Sequence, residues 1–252
     1  MRDKIKVLLV NSFSSFKVSG VPFKLPNPSI AGVYAICKQA GFETDLCDLN
    51  MFNEPNLMHM DDFFHDLSPY DVIGVSVGID TLKHVRDIIT YIKEIDPDLP
   101  VIIGGPPIFF QPDIWLKETG ADIAVIGEAE VTLPELCIAI AEKSDLTQVD
   151  GIIFNSKEQL IKTKTRQNIK NIDQVPFPDY SLFNLELYFA NPNFKWLFNN
   201  KKGLFIMSSR GCPYTCSFCC SGGGMRTIKT GIFINEIQKH FNKYNLESVF
   251  KI

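Results

Sequence analysis

Lys6-Val7-Leu8-Leu9-Val10 places four branched apolar residues in a row close to the amino terminus. A run with no polar alternation suits a strand buried on both faces, as at the centre of a parallel sheet. Working outward, a polar, proline-rich loop spans Asn11 to Pro28. Ser29 is placed to cap a helix over Ile30–Ala40, and Gly41 to end it in the left-handed conformation. Glu43–Asp48 reads as a second strand. Asn50 to Leu67 is mixed, with a short helix near Asp61. Val72-Ile73-Gly74-Val75-Ser76-Val77 is a third strand. Leu82, Val85, Ile88, Ile89 and Ile92 then recur at helical period, and Pro97 and Pro100 close that segment. Val101-Ile102-Ile103 is a fourth strand and Ile123–Ile126 a fifth. Helices are expected near Asp113–Glu118 and from about Leu133 to Glu142.

Five alternations of strand and helix predict an α/β fold: a doubly wound, mainly parallel sheet with right-handed crossovers and flavodoxin-like strand order 2-1-3-4-5. Such sheets bind ligands beyond the carboxyl ends of their strands, at the switch point. The residues at those ends are Asn11 to Phe13, Ser76, Val77, Gly78, Gly104, Gly105, Pro106, Gly127 and Glu128. Small residues at three of the four ends leave space for a bulky ligand, although glycines also simply end strands. Neither G-x-G-x-x-G nor G-x-x-x-x-G-K-[ST] occurs, which removes the best support for dinucleotide and P-loop readings.

Composition narrows the class. The 252 residues are 45% hydrophobic and 21% charged, ordinary for a globular protein of one or two domains. A net charge of −4 gives no argument for nucleic acid as a partner. No apolar run reaches the length of a membrane span, and Met1-Arg2-Asp3-Lys4 has no signal-peptide shape. Seven cysteines, four of them clustered, argue against a disulfide framework and for a reducing, cytoplasmic setting. Cys37, Cys47 and Cys137 sit in apolar patterns and are expected to be small core residues.

The cluster is Arg210-Gly211-Cys212-Pro213-Tyr214-Thr215-Cys216-Ser217-Phe218-Cys219, which follows the apolar strand Gly203–Met207. The spacing C-x3-C-x2-C lets one short loop wrap Cys212, Cys216 and Cys219 around one face of a 4Fe–4S cluster. Such clusters normally take four cysteines, so one iron is left open for a ligand. Zinc would want a fourth ligand. Cys220 is adjacent to Cys219, points elsewhere, and is expected to be an ordinary buried thiol. The stretch resembles the signature of the radical SAM enzymes, C-x3-C-x-aromatic-C. The resemblance implies that S-adenosylmethionine chelates the open iron, that Phe218 lies near its adenine, and that one electron from the cluster generates a 5′-deoxyadenosyl radical. It also implies an electron donor such as flavodoxin or ferredoxin, and a small-molecule or peptide substrate.

Pro28 to Asn50, with Ala31-Gly32-Val33-Tyr34, Ala40-Gly41-Phe42 and Asp48-Leu49-Asn50, is similar to the cobalamin-binding domains fused to radical SAM enzymes. Val101 to Pro106, Gly127-Glu128-Ala129-Glu130 and Thr132-Leu133-Pro134 fit the same family. The resemblance implies that Asn11, Ser76, Val77, Gly78, Gly104, Gly105, Pro106, Gly127 and Glu128 contact cobalamin. Where many cobalamin domains carry D-x-H-x-x-G, this chain has Asn11-Ser12-Phe13-Ser14-Ser15. Cobalamin would then be base-off without a histidine ligand. His59, His65, His84 and His240 lie elsewhere and are expected on the surface or on helices.

Residues 1–145 are therefore expected to form a cobalamin-binding α/β domain. Residues 146–200 should be a β-hairpin, turning at Ser156-Lys157-Glu158, and an extended linker, Ile172 to Tyr180. Phe194, Trp196 and Phe198 should pack that linker onto a domain. Residues 201–252 read as the start of a radical SAM (β/α) barrel, with Ile234, Ile237 and Phe241 on one face of a helix over Ile232–Tyr244. Gly222-Gly223-Gly224 precedes that helix and is either a flexible loop or a close approach to a ligand. A barrel needs many more residues than follow Cys219. The expectation is a truncated chain (a gene fragment, split gene or shortened product) that is inactive alone. In the intact enzyme the implied reaction is methyl transfer or ring formation. The alternatives are a non-catalytic cobalamin-binding module with a residual cluster loop, or a structural zinc or iron–sulfur protein.

Overall fold

The computed structural model describes residues 4–14, 16–18, 20–52, 60–61, 64–156, 159–214, 216–217, 219 and 224–251. Its first unit is the alternating one. Strands β1 (Lys6–Asn11), β2 (Glu43–Asp48), β3 (Val72–Ser76), β4 (Val101–Gly104) and β5 (Ile123–Val125) are all parallel. Their order is β2-β1-β3-β4-β5, the doubly wound arrangement expected from the sequence. Successive residues of β1 feed opposite layers. Val7 and Leu9 join the core beneath helices α1 (Pro28–Gln39) and α4 (Ala129–Ala141). Leu8 and Val10 join the core beneath α2 (Leu82–Ile95) and α3 (Pro112–Thr119).

Local details depart from the sequence expectation. Asn27, not Ser29, caps α1, because its side chain accepts from the Ser29 and Ile30 amides. The helix therefore starts at Pro28, where a missing N–H costs nothing. Gly41 does take the left-handed conformation, at φ 80°. Helix α4 starts four residues before Leu133, directly after the strand-end residue Glu128. The short helix expected near Asp61 falls mostly outside the described residues.

The hairpin, β6 (Ile152–Ser156) and β7 (Gln159–Lys162), continues the same sheet antiparallel to β5. The seven-stranded order among the described residues is thus β2-β1-β3-β4-β5-β6-β7. The hairpin joins the sheet because Ile152, Ile153 and Phe154 are apolar on both faces and β5 would otherwise be an open edge. Lys157 and Glu158, in its turn, lie outside the described residues.

Beyond the hairpin, short helices α5 (Leu185–Ala190) and α6 (Pro192–Leu197) bury Tyr188, Phe189, Phe194 and Phe198. Phe194 and Phe198 stack at 4.4 Å. Trp196 is the exception to the expected aromatic packing: it is 75% exposed, on the outer side of α6. The second unit is one β-α-β crossover, β8 (Gly203–Ile206), a two-stranded loop base formed by β9 (Ser209–Arg210) and β10 (Arg226–Thr227), α7 (Thr230–Tyr244), and β11 (Ser248–Lys251). Strands β8 and β11 pair in parallel. Ile237 and Phe241 are half-buried, but Ile234 is 53% exposed, and the buried side chain of this face is His240. Both His240 ring nitrogens face carbonyl oxygens, of Glu236 at 3.0 Å and Pro178 at 2.9 Å. No closed barrel is formed by the described residues.

Candidate functional site: a cavity shared by the strand ends and the cysteine loop

Between α1 and α4 the sheet surface is not fully covered. A cavity of about 690 Å³ lies there, running from the apolar face of the sheet to the carboxyl ends of β3, β4 and β5. Its floor includes Val7, Leu9, Gly74 and Ile102. Gly74 is the mid-strand residue that lets the cavity reach the sheet; a Cβ there would sit 3.3 Å from Leu9 Cδ2. At the strand ends, Gly104 and Gly127 line the opening, and a Cβ added at either would meet nothing within 4 Å. Gly105 differs. Its φ is 145°, and a Cβ would overlap the Val77 carbonyl oxygen. It serves the backbone crossing between β3 and β4 as well as the opening.

The expected strand-end residues divide. Ser76, Gly104, Gly105, Pro106, Gly127 and Glu128 line the cavity. Asn11, Val77 and Gly78 do not, and each has a structural task. Asn11 is 1% exposed, donates to Asp48 Oδ1 at 2.7 Å and accepts from Asn27 at 3.0 Å. Val77 is buried and its amide donates to the Gly104 carbonyl. The Gly78 amide donates to Thr81 Oγ1 at the start of α2. These three close the switch point by hydrogen bonding.

The far wall was not foreseen from the sequence. The linker segment Val175 to Pro178 lies against the cavity, with Met207, Ser209, Arg210 and Gly211 from the second unit. The residue that begins the cysteine loop therefore faces the same space as the strand ends. Gly211 has φ 80°, and a Cβ on it would overlap the Gly224 carbonyl oxygen, so the loop closes tightly at its base. Cys212 is half-buried, while Cys216 and Cys219 are exposed. The Cys219 amide donates to the Cys216 carbonyl at 3.0 Å. Phe218, Cys220, Gly222 and Gly223 lie outside the described residues.

The thiols differ in chemistry as well as place. Cys37, Cys47 and Cys137 are fully buried, and burial pushes the Cys37 thiol up to about 12 and the other two upward as well. Thiols held protonated are poor metal ligands. Cys212, Cys216 and Cys219 have no such core role. Among the described residues no three His, Cys, Asp or Glu side chains gather about a single ion. A cubic cluster does not require that, because each thiolate takes a different iron. The donor set fits a cluster by its chemistry, and the glycine-lined cavity fits a large cofactor.

Charge is concentrated at the mouth. Arg210 Nη2 lies 2.5 Å from Glu130 Oε1, and Arg226 Nη1 lies 2.8 Å from Glu128 Oε1. Burial works against the Arg210 charge, but the two carboxylates overcome it and hold its pKa above the ordinary value. A second polar group lies behind β1. Lys24 is 3% exposed, with its ammonium 4.1 Å over the Phe13 ring, and burial lowers it to about 8.

Residues 17–137 match the family described as the B12 binding domain. Two curated relatives extend the match. The anaerobic magnesium-protoporphyrin IX monomethyl ester cyclase of Synechocystis sp. is 34% identical over 153 residues. The cobalamin-dependent radical SAM methyltransferase TokK of Streptomyces tokunonensis is 26% identical over 191 residues. These alignments cover 60% and 71% of this chain. The chain is similar to cobalamin-binding radical SAM proteins. It spans 29% and 27% of the length of those two relatives. Among solved structures, the radical S-adenosylmethionine methyltransferase TsrM of Kitasatospora setae, with cobalamin and a [4Fe–4S] cluster bound, superposes with a TM-score of 0.74. The identity is 20%, over 98% of this chain and 48% of that one. The likeness in fold thus extends past the B12 binding domain, through the linker and into the β-α-β unit of this chain. No helix among its described residues is long and apolar enough to cross a membrane.

Proposed function

We propose that the chain binds cobalamin in the cavity between α1 and α4 and a 4Fe–4S cluster on Cys212, Cys216 and Cys219, with S-adenosylmethionine at the open iron. The observation that carries this reading is that Gly211, at the root of the cysteine loop, and Gly104 and Gly127, at the strand ends, line one cavity. Two cofactors that must exchange an electron or a methyl group need such closeness. Bound there, they would supply one-electron and methyl-transfer chemistry, serving methyl transfer or ring formation in a protein carrying this chain.

The chain's own residues do the rest. The apolar floor excludes water from the deep part of the cavity. Ser76, Glu128 and Glu130 offer polar groups at its mouth. No histidine lines the cavity among the described residues, so these residues offer the cobalt no imidazole. The exposed cysteines leave the loop open to an electron donor such as flavodoxin or ferredoxin, and to a small-molecule or peptide substrate. Phe109 and Phe110, 56% and 51% exposed at the rim, offer that substrate an aromatic surface.

Anaerobic reconstitution with iron and sulfide, followed by absorbance and paramagnetic resonance, tests the cluster. Titration with hydroxocobalamin tests the cavity. We expect both to bind, and the cobalt(II) spectrum to lack nitrogen hyperfine splitting from a protein histidine. Cobalamin bound without iron would support the non-catalytic module instead; zinc retained in place of iron would support a structural metal site.

A further inference from the structure

The base of the cysteine loop carries an arrangement that is unfavourable by itself. Strands β9 and β10 pair antiparallel with Arg210 directly opposite Arg226. Like charges in direct cross-strand register repel. The two arginines are reconciled by residues of the other unit. Glu128 meets Arg210 Nη1 at 3.4 Å and Arg226 Nη1 at 2.8 Å, and Glu130 meets Arg210 Nη2 at 2.5 Å. Glu128 also accepts from the Ile169 amide at 2.7 Å, and Arg226 donates to the Ile169 carbonyl at 2.7 Å. The four charged side chains are between 12% and 22% exposed. The strand pair at the base of the cysteine loop is thus held by a clamp fastened to the strand end that borders the cavity.

Stability alone does not require such a clamp. Buried ion pairs lose in desolvation much of what they gain, and apolar replacements often hold a fold equally well. This one is also incompletely satisfied: Glu130 Oε2 and Arg226 Nε are buried without a hydrogen-bond partner. What the clamp fixes is position. The carboxylates sit on either side of Ala129, the first residue of α4, which lines the cavity. A shift of α4 as the cavity fills therefore moves the root of the cysteine loop, and ordering of that loop bears on α4.

We propose that Arg210 and Arg226, gripped by Glu128 and Glu130, are positioning residues that couple occupancy of the cobalamin cavity to iron–sulfur binding on the cysteine loop. The inference rests on the function proposed above. Coupling between two sites is reciprocal and commonly amounts to about fivefold or more in affinity.

The test measures the hydroxocobalamin dissociation constant of the full chain twice, free of iron and after cluster reconstitution. Wild type should bind about fivefold or more tightly in the reconstituted state. Arg226→Gln, whose side chain does not line the cavity, should bind both cofactors yet bring the ratio close to one. Arg226→Lys, which keeps the charge but not the fork, should fall between. A merely structural role would weaken cobalamin binding equally in both states and leave the ratio intact. Glu130→Gln is the second variant should Arg226→Gln fail to fold by circular dichroism, and the same loss of ratio is expected. A ratio near one in wild type, or an unchanged ratio in the folded variant, overturns the coupling. Absence of cobalamin or iron binding in wild type overturns the proposed function itself, and the single-cofactor titrations tell that failure apart.

Discussion

The Tyr188 hydroxyl donates to Asp48 Oδ2 at 2.7 Å, across 140 residues of chain. Both groups are almost wholly buried. Asp48 Oδ1 is held in turn by Asn11, which accepts from Asn27, the cap of α1. One chain of hydrogen bonds thus joins the linker helix α5, the ends of β2 and β1, and the helix that walls the cavity. Linker and sheet are built as one body around it.

This relationship has a pH signature. Burial raises the Asp48 pKa above its ordinary 3.8, against the opposing bonds from Tyr188 and Asn11. A carboxyl whose folded pKa is raised contributes stability that is present below its unfolded pKa and lost as pH rises through the folded one. Tyr188→Phe removes a donor that favours the ionised form, so it deepens that loss. We expect about 1–3 kcal/mol of destabilisation at pH 7 in urea unfolding, shrinking toward pH 4. An equal penalty at both pH values would mean that the Asp48 charge is not involved.

Asp179 should behave in the opposite sense. Burial pushes its carboxyl up, but hydrogen bonds from Lys243, Ser181 and Tyr244 outweigh burial and hold it well below the usual carboxylate range. Lys38 of α1 reaches the same group at 3.1 Å. A depressed pKa contributes stability present above the unfolded value and lost as pH falls through the folded one. Asp179→Asn should therefore unfold at lower temperature at pH 7, and the two proteins should converge in acid. A constant gap in melting temperature down to about pH 2 would count against this assignment.

Gly104 and Gly105 should give different outcomes. A side chain at Gly104 points into open space at the cavity mouth. Gly104→Leu should keep the fold and weaken cobalamin binding by about tenfold or more, equivalent to about 1.4 kcal/mol. Gly105→Leu should destabilise the protein, because it combines a left-side φ of 145° with overlap on Val77. Circular dichroism melts and cobalamin titration on both variants check this. Unimpaired binding by Gly104→Leu would place the ligand elsewhere.

The cysteines should sort by location. In the native, iron-free chain, iodoacetamide should label Cys212, Cys216 and Cys219. Cys37, Cys47 and Cys137, buried with raised pKa, should label only after denaturation. Cys216→Ala should lose the reconstituted cluster. Cys137→Ala should retain it and cost stability through the cavity it leaves, by thermal melt. Iron retained on Cys216→Ala would require a different ligand set.

Much of the site could be read ahead, for local reasons. The order of β1 to β5 follows from apolar runs alternating with helical periodicity. The glycines at the ends of β4 and β5 mark where side chains would obstruct. What could not be read was which strand-end residues face the opening. Asn11, Val77 and Gly78 occupy strand ends as surely as Gly104 does, but their hydrogen bonds turn them into the walls of the switch point. Asn27 took the cap of α1 from Ser29 because it also donates to Asn11, a partner 16 residues away. Trp196 is a packing residue by type, yet α6 presents Phe194 inward and Trp196 outward, since residues two apart do not share a helix face.

The sequence by itself determined the doubly wound sheet and the spacing of the three cysteines, because each depends on residue type at short range. Only the tertiary structure decided that the hairpin belongs to the sheet, that the linker walls the cavity, and that Arg210 and Arg226 are clamped by Glu128 and Glu130. Those are contacts between residues far apart in the chain, as Arg226 and Glu128 are, separated by 98 positions. No local pattern records them; they arise when apolar surfaces pack and leave a few charged groups buried that must find one another.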